Sequence, residues 1–109
     1  MAHDKELAAR VRRAFGKVAN VVEKPMFGGL TFMVGGNLCC GVLKDELMIR
    51  LDRDTNLATL DSSFVRVCDL TSRPMRGLFV VSAAGCSTQR GVNNWIRHAI
   101  DHARTLRPK

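Results

Sequence analysis

The chain has 109 residues, of which 46% are hydrophobic and 25% charged, as in ordinary globular domains. We expect residues 1–109 to form a single domain, because this length can bury about 65% of the unfolded surface and leaves no room for a second core. No apolar run approaches the ~18 residues of a membrane span, which excludes a chain built around transmembrane helices. The net charge of +7 fits either a solvated basic surface, which we favour, or an anionic partner such as nucleic acid.

The first residues open into a charged segment that contains no apolar signal core. We therefore expect a cytoplasmic protein that has no membrane partner. The four cysteines could form two disulfides, but free thiols are the better interpretation for a domain that stays in the cytoplasm and has its own core.

The N-terminal segment predicts an amphipathic helix from about Asp4 to Gly16, with Asp4 as the N-cap. Three cations, Arg10, Arg13 and Lys17, lie opposite its apolar face. They form either a stripe that binds a nucleic-acid backbone or the solvated side of a surface helix. The apolar face consists of residues at helical spacing: Leu7, Val11, Ala14, Phe15 and Val18.

The central segment predicts a β-hairpin that a third strand extends to a meander. Alternating apolar residues flank Gly35-Gly36-Asn37, which reaches the positive φ angles of a tight turn at little cost. Before the hairpin, Pro25 favours an extended chain, and Gly28-Gly29 indicates a bulge, a bend or a closely packed second backbone. The predicted buried face consists of Leu30, Phe32, Val34, Leu38, Cys40, Val42, Leu47, Ile49 and Leu51.

The C-terminal half predicts a short helix near residues 54–61, strands at 64–68 and 78–81, and a final helix that ends near Leu106. In that helix we expect Trp95 to be a core anchor, with Arg97 and Arg104 on one flank. A loop from Asp69 to Gly77 separates the last two strands. Its residues Arg73, Met75 and Arg76 form a candidate binding element, and solubility is the alternative role for the arginines.

Two groups of side chains could carry chemistry, and for both we favour a structural role. His98 and His102 are spaced like a pair of metal ligands, but the sequence supplies no further ligands, so we predict solvated histidines and no metal. Cys40 should lie in the core and Cys39 on the opposite face of its strand, because adjacent strand residues alternate. We therefore predict no catalytic residue and no cofactor.

Several motifs together resemble the N-terminal domain of the TfoX (Sxy) family of competence regulators, and in particular its short members that consist of this domain alone. Met26-Phe27-Gly28-Gly29 and Arg73-Pro74-Met75-Arg76-Gly77 are the most specific, and Trp95-Ile96 lies near the end of the matching region. The resemblance implies a two-layer α+β fold like that of secretion chaperones, in the order α-β-β-β-α-β-β-α. This order agrees with the one predicted from the residues, and we expect an antiparallel-rich sheet with the helices packed on one face.

The resemblance implies a role in transcriptional regulation and no established catalytic residues. We therefore expect a non-enzymatic regulatory module that binds a transcription-related protein through the open face or edge of the sheet and the loop with Arg73 and Arg76. Met26, Phe27, Gly28 and Gly29 are expected to be framework. The alternative is direct nucleic-acid binding through Arg10, Arg13 and Lys17, joined by Arg97 and Arg104, and a metal or thiol enzyme is a remote third. A homodimer is a further possible assembly, because it would cover a sheet edge.

Overall fold

The computed structural model describes residues 4–26, 28–55, 63–68 and 77–107. The short helix predicted near residues 54–61 and the loop before Gly77 therefore lie largely outside the described residues. In chain order the elements are α1 (Lys5–Phe15), β1 (Val21–Met26), β2 (Gly29–Val34), β3 (Asn37–Leu43), β4 (Glu46–Arg50), β5 (Val65–Val67), β6 (Leu78–Val81), a 3-10 helix (Ala83–Cys86) and α2 (Gln89–Ala103).

The strands form one antiparallel sheet in the order β1-β2-β3-β4-β6-β5, and α1 and α2 cover one of its faces. The predicted α+β class, the element order and the packing of the helices on one face are confirmed. The sheet has six strands, one more than the five predicted. The additional strand is β1, which the sequence indicated only as an extended segment, because five of its six residues are exposed and show no apolar alternation.

Both helices bury the apolar faces that their sequences predict. The Asp4 carboxylate caps α1 by accepting hydrogen bonds from the backbone N–H of Glu6 and Leu7. Trp95 is 7% exposed, and its indole N–H donates to the Gly85 carbonyl at 3.3 Å, which confirms its role as a core anchor. This anchoring fixes which side of α2 faces the solvent.

A β-bulge in the β2–β3 hairpin changes the predicted facing of two residues. Phe32 pairs with Cys40 but Met33 pairs with Leu38, so Cys39 is the extra residue in β3. Cys39 and Cys40 therefore both lie in the core under the helices, and Leu38 packs on the other face of the sheet. The predictions that Cys39 faces away from the core and that Leu38 faces into it were wrong, because a bulge breaks the two-residue period.

The glycine pair at the start of β2 brings two backbones together. Gly28 has a φ of 74°, and a side chain there would meet open space. At Gly29, by contrast, an added Cβ would overlap the carbonyl oxygen of Val42 in β3. Of the alternatives for this pair, the structure shows the closely packed backbone, and it places the hairpin turn at Gly35 and Gly36, both with positive φ.

The two edges of the sheet carry features that oppose pairing with another strand. Strand β5 has only three residues. Strand β1 contains Pro25, which has no N–H to donate, and the exposed charges of Glu23 and Lys24. The Arg12 guanidinium of α1 donates two hydrogen bonds, each 2.8 Å long, to the Glu23 carboxylate of β1. This ion pair ties the first helix to the edge of the sheet.

Candidate interaction groove

Helices α1 and α2 lie side by side and run in the same direction. At one end, the Gln89 side chain donates to the Arg10 carbonyl at 2.8 Å, and at the other end Val18 lies beside Arg104. A groove runs along their junction. We call this the arginine groove, and it is lined by Arg13, Ala14, Val18, Asn93, Arg97, Ile100, Asp101 and Arg104.

The arginine groove encloses about 280 Å³ and combines an apolar floor with a cationic rim. Ile100 is 7% exposed, and Ala14 and Val18 are half-buried, so these residues form the floor. The rim carries the exposed side chains of Arg13, Arg97 and Arg104, together with one carboxylate, Asp101. Such a surface can bind an anionic group and bury apolar surface beside it.

The guanidinium groups of the rim are not occupied by carboxylates. Within the described ranges, Arg13, Arg97 and Arg104 make no ion pair at 4 Å or less, and the nearest polar contact of Arg13 is Gln89 Oε1 at 3.4 Å. Arg66 differs from these three arginines, because its guanidinium donates hydrogen bonds of 3.1 and 2.7 Å to the Glu46 carboxylate. The rim arginines thus keep their paired donors available for a ligand.

The groove continues into a second cavity of about 310 Å³ at the C-terminal ends of the helices, and Val18 and Arg104 belong to both. Asn37 lies at this end, 4% exposed, with its side-chain N–H₂ donating to the Arg107 carbonyl at 2.7 Å. That hydrogen bond holds the segment after α2 against the β2–β3 hairpin. This end of the groove is therefore bounded by residues that a hydrogen bond holds in place.

The predicted basic stripe of α1 is divided in the structure. Arg13 enters the groove, whereas Arg10 has a side chain only 25% exposed and lies 3.8 Å from Glu6 on its own helix. Lys17 is exposed just beyond α1 and does not line the groove. The structure thus brings Arg13 together with Arg97 of α2 and with Arg104, which caps the C-terminal end of α2.

The remaining predicted site residues lie elsewhere. Met26 ends β1 and is 38% exposed. Phe27 and the loop residues Arg73, Met75 and Arg76 are outside the described residues, so the predictions made for them stay predictions.

The two histidines of α2 have different surroundings. The ring of His98 is tilted against Trp95, with their centroids 6.3 Å apart. His102 lines a separate cavity beside Arg50 and Asp52. Burial and, to a smaller extent, the charge of Arg50 lower the pKa of His102, while Asp52 raises it. Among the residues that the structure places, no three His, Cys, Asp or Glu side chains gather as a metal site would require.

None of the four cysteines forms a disulfide, and all four are buried. Burial raises the pKa of Cys40 well above its usual value, and the hydrogen bond to the neighbouring Cys39 thiol adds to the shift. Burial likewise raises the pKa of Cys86 to about 11, and its Sγ lies 3.3 Å from the Ser82 carbonyl oxygen. A raised pKa keeps a thiol protonated at neutral pH, and protonated thiols are poor nucleophiles.

The face of the sheet away from the helices carries an apolar row. Val22, Met33 and Leu38 are neighbours across β1, β2 and β3, and Val22 is 52% exposed. Leu38 joins this row only because of the bulge at Cys39. Sequence reasoning missed the row for that reason, and no signal in the alternation pattern could have shown it.

Sequence reasoning also missed Asn93 and Asp101 as members of the groove. Their spacing could have shown it, because residues 93, 97, 101 and 104 follow the four-, four- and three-residue steps of one helical stripe. What the spacing could not show is that this stripe faces Arg13 of the other helix.

A family model described as the TfoX N-terminal domain matches residues 13–103. This range includes α2 and all six strands, together with the last three residues of α1. A comparison with the curated proteins and one with the solved structures give no match. No described helix has the length and apolar character that a membrane crossing requires.

Proposed function

The chain belongs to the TfoX N-terminal domain family, a family of competence-related regulatory domains, and from that premise we propose that it is a non-enzymatic module of the cytoplasm that binds a partner protein. The partner is a transcription-related protein, and the bound part is an acidic segment that lies in the arginine groove. The observation that carries the proposal is the convergence of Arg13, Arg97 and Arg104, without carboxylate partners in the described chain, around one apolar floor.

The electrostatics of the groove favour carboxylates. A guanidinium donates two parallel hydrogen bonds to one carboxylate, as Arg12 does to Glu23 within this fold. The three rim arginines offer the same geometry to a ligand. Positive charge also raises the rate at which an acidic partner associates, and this contribution falls as salt is added.

The apolar floor favours a protein over a simple anion. Ala14, Val18 and Ile100 can bury an aliphatic side chain of the ligand, and each buried methylene contributes about 0.8 kcal/mol. A segment that alternates acidic and apolar residues uses both the rim and the floor. A phosphate backbone uses the rim only.

A fluorescence-anisotropy titration with a labelled acidic and apolar peptide tests the proposal. We compare the wild type with a groove variant (Arg13→Gln, Arg97→Gln, Arg104→Gln) and with a control variant of equal net charge (Lys5→Gln, Lys24→Gln, Arg53→Gln). We expect the groove variant to bind at least about tenfold more weakly and the control to stay within about threefold of the wild type. An equal loss in both variants would show that the peptide responds to net charge and not to the groove.

The second candidate is direct binding of nucleic acid, which the exposed cations of the helical layer favour. Lys17, just beyond α1, and Arg90 of α2 are exposed outside the groove and could extend its positive surface along a phosphate backbone. A titration with mixed-sequence single-stranded and duplex DNA at two salt concentrations tests it. Micromolar binding with a steep salt dependence that the groove variant lowers would support this second candidate, and absence of binding at low salt would reject it.

A further inference from the structure

We propose that Asp101 sets the selectivity of the arginine groove, so that the groove prefers a segment with two separated carboxylates over a continuous polyanion. This inference rests on the proposed function and names the pattern of charge that the ligand carries. It starts from the position of Asp101, the carboxylate among the groove's lining residues, on the same stripe of α2 as Arg97 and Arg104.

The spacing along α2 fixes where the charges of the groove alternate. At a rise of 1.5 Å per residue, Arg97 and Arg104 lie about 10 Å apart along the helix axis, and Asp101 lies about 6 Å from the first and 4.5 Å from the second. No ion pair of 4 Å or less joins Asp101 to either arginine in the described ranges. The order along the groove is therefore positive, negative, positive.

A peptide can match this order because the positions of its charges are free to vary. In an extended polyproline II segment, residues three apart lie on the same side and about 9 Å from each other. Two glutamates at that spacing reach Arg97 and Arg104, and the residues between them lie beside Asp101 and the floor at Ile100. Two adjacent glutamates instead place one carboxylate close to Asp101, where like charges repel.

A nucleic-acid strand cannot match the order, because every nucleotide carries a phosphate and no charge can be left out between two that contact the arginines. A phosphate then falls opposite Asp101 whenever the phosphates on either side of it contact Arg97 and Arg104. Selectivity that comes from an unfavourable contact with the wrong ligand is common in specific interfaces. Asp101 would thereby lower the affinity for polyanions more than the affinity for a peptide with separated charges.

The test uses two peptides of identical composition, one with glutamates three positions apart and one with adjacent glutamates, together with single-stranded DNA. Each is titrated against the wild type, Asp101→Asn and the control Asp45→Asn, which removes an exposed carboxylate near the N-terminal end of α1. Because Asp101 is exposed and Asn has nearly the same shape, we expect the variant to fold, and circular dichroism checks this.

We expect the wild type to prefer the separated pair about fivefold, and Asp101→Asn to reduce this preference to about twofold while tightening single-stranded DNA binding at least about threefold. Asp45→Asn should change neither. An unchanged preference in Asp101→Asn, or an equal gain for all three ligands, would overturn the selectivity role while the proposed function stands. If neither peptide binds the wild type, or if the groove variant binds as the wild type does, the proposed function fails and this inference with it.

Discussion

Arg12 and Arg13 are adjacent in sequence, yet their guanidinium groups belong to two different regions of the molecule. Arg12 donates two hydrogen bonds to Glu23 and holds α1 against β1. Arg13 is turned by about 100° around the same helix and faces the arginine groove beside α2. We call the first region the framework, which includes the sheet, its ion pairs and its buried glycines.

The comparison between framework and groove shows that charge alone does not assign a role to an arginine. Arg12 and Arg66 each satisfy a carboxylate of the same chain, so their substitution acts on the folded state. Arg13, Arg97 and Arg104 have no such carboxylate among the residues that the structure describes, so their substitution should act on a ligand. The predictions below test this division.

The largest expected effect belongs to the framework. Gly29→Ala places a methyl group on the Val42 carbonyl oxygen, which only a backbone shift can relieve, so the free energy of unfolding should fall by at least about 2 kcal/mol. The matched variant Gly28→Ala meets open space and strains only its φ of 74°, which costs about 1 kcal/mol. Urea denaturation measures both. Equal losses would show that β2 and β3 do not approach as described.

The next effect belongs to the groove. Arg97→Gln should weaken binding of the acidic peptide about tenfold, or about 1.4 kcal/mol, and change the free energy of unfolding by less than about 0.5 kcal/mol. Arg97→Lys keeps the charge but loses the two-pronged geometry, so its loss should be about threefold. Anisotropy and urea denaturation together measure the two quantities. A loss of stability without a loss of binding would assign Arg97 to the framework.

A smaller effect concerns pH, which should change the stability of the framework and leave binding at the groove unchanged. Burial raises the pKa of Cys86 to about 11 from an ordinary 9.0, so the thiol of the unfolded chain loses its proton at a lower pH than the thiol of the folded chain. The contribution of the buried thiol to the free energy of unfolding is therefore complete below about pH 9 and falls as the pH rises towards 11. Denaturation at pH 7.5, 9 and 10.5 should show a shallower decline for Cys86→Ala than for the wild type. Peptide binding should stay constant from pH 7 to 9, because arginine does not titrate there.

The contrary outcome of the denaturation experiment is a parallel decline of the free energy of unfolding in the wild type and Cys86→Ala. Lysine titration and other groups also lower stability at high pH, so only the difference between the wild type and Cys86→Ala reports the buried thiol. Identical slopes would contradict the burial of Cys86, the last residue of the 3-10 helix.

The smallest effect is that of the exposed framework ion pair. Arg12→Gln leaves the Glu23 carboxylate in contact with water, so the free energy of unfolding should fall by less than about 1 kcal/mol. Binding of the acidic peptide should not change. The double variant Arg12→Gln with Glu23→Gln supplies the coupling energy of the pair. A tenfold loss of binding in Arg12→Gln would remove the distinction between Arg12 and Arg13.

The sequence predicted those features whose signals are local. The cap at Asp4, the turn at Gly35 and Gly36 and the anchoring of Trp95 each depend on a few neighbouring residues, and the structure has all three. The bulge at Cys39 was missed because an inserted residue changes the facing of its neighbours without changing the composition of the strand. Strand β1 was missed because an exposed edge strand has no buried alternation to detect.

The groove depends on a relation between two elements that no single helix records. Helical spacing placed Arg13 opposite the apolar face of α1, and Arg97 and Arg104 on one flank of α2. It could not show that α1 and α2 run in the same direction side by side, because packing against the sheet sets that arrangement. For the same reason it could not separate Arg10, which lies towards Glu6, from Arg13.

The most direct test of the groove as the binding site is a backbone amide NMR titration of the wild-type domain with the peptide that carries two separated glutamates. We predict that the largest chemical-shift changes occur around Arg13, Asn93, Arg97 and Arg104, and that the exposed strand residue Val22 on the opposite face of the sheet is unaffected. Changes centred on the apolar row of Val22, Met33 and Leu38, with the helices unchanged, would contradict the account and move the interaction to the other side of the molecule.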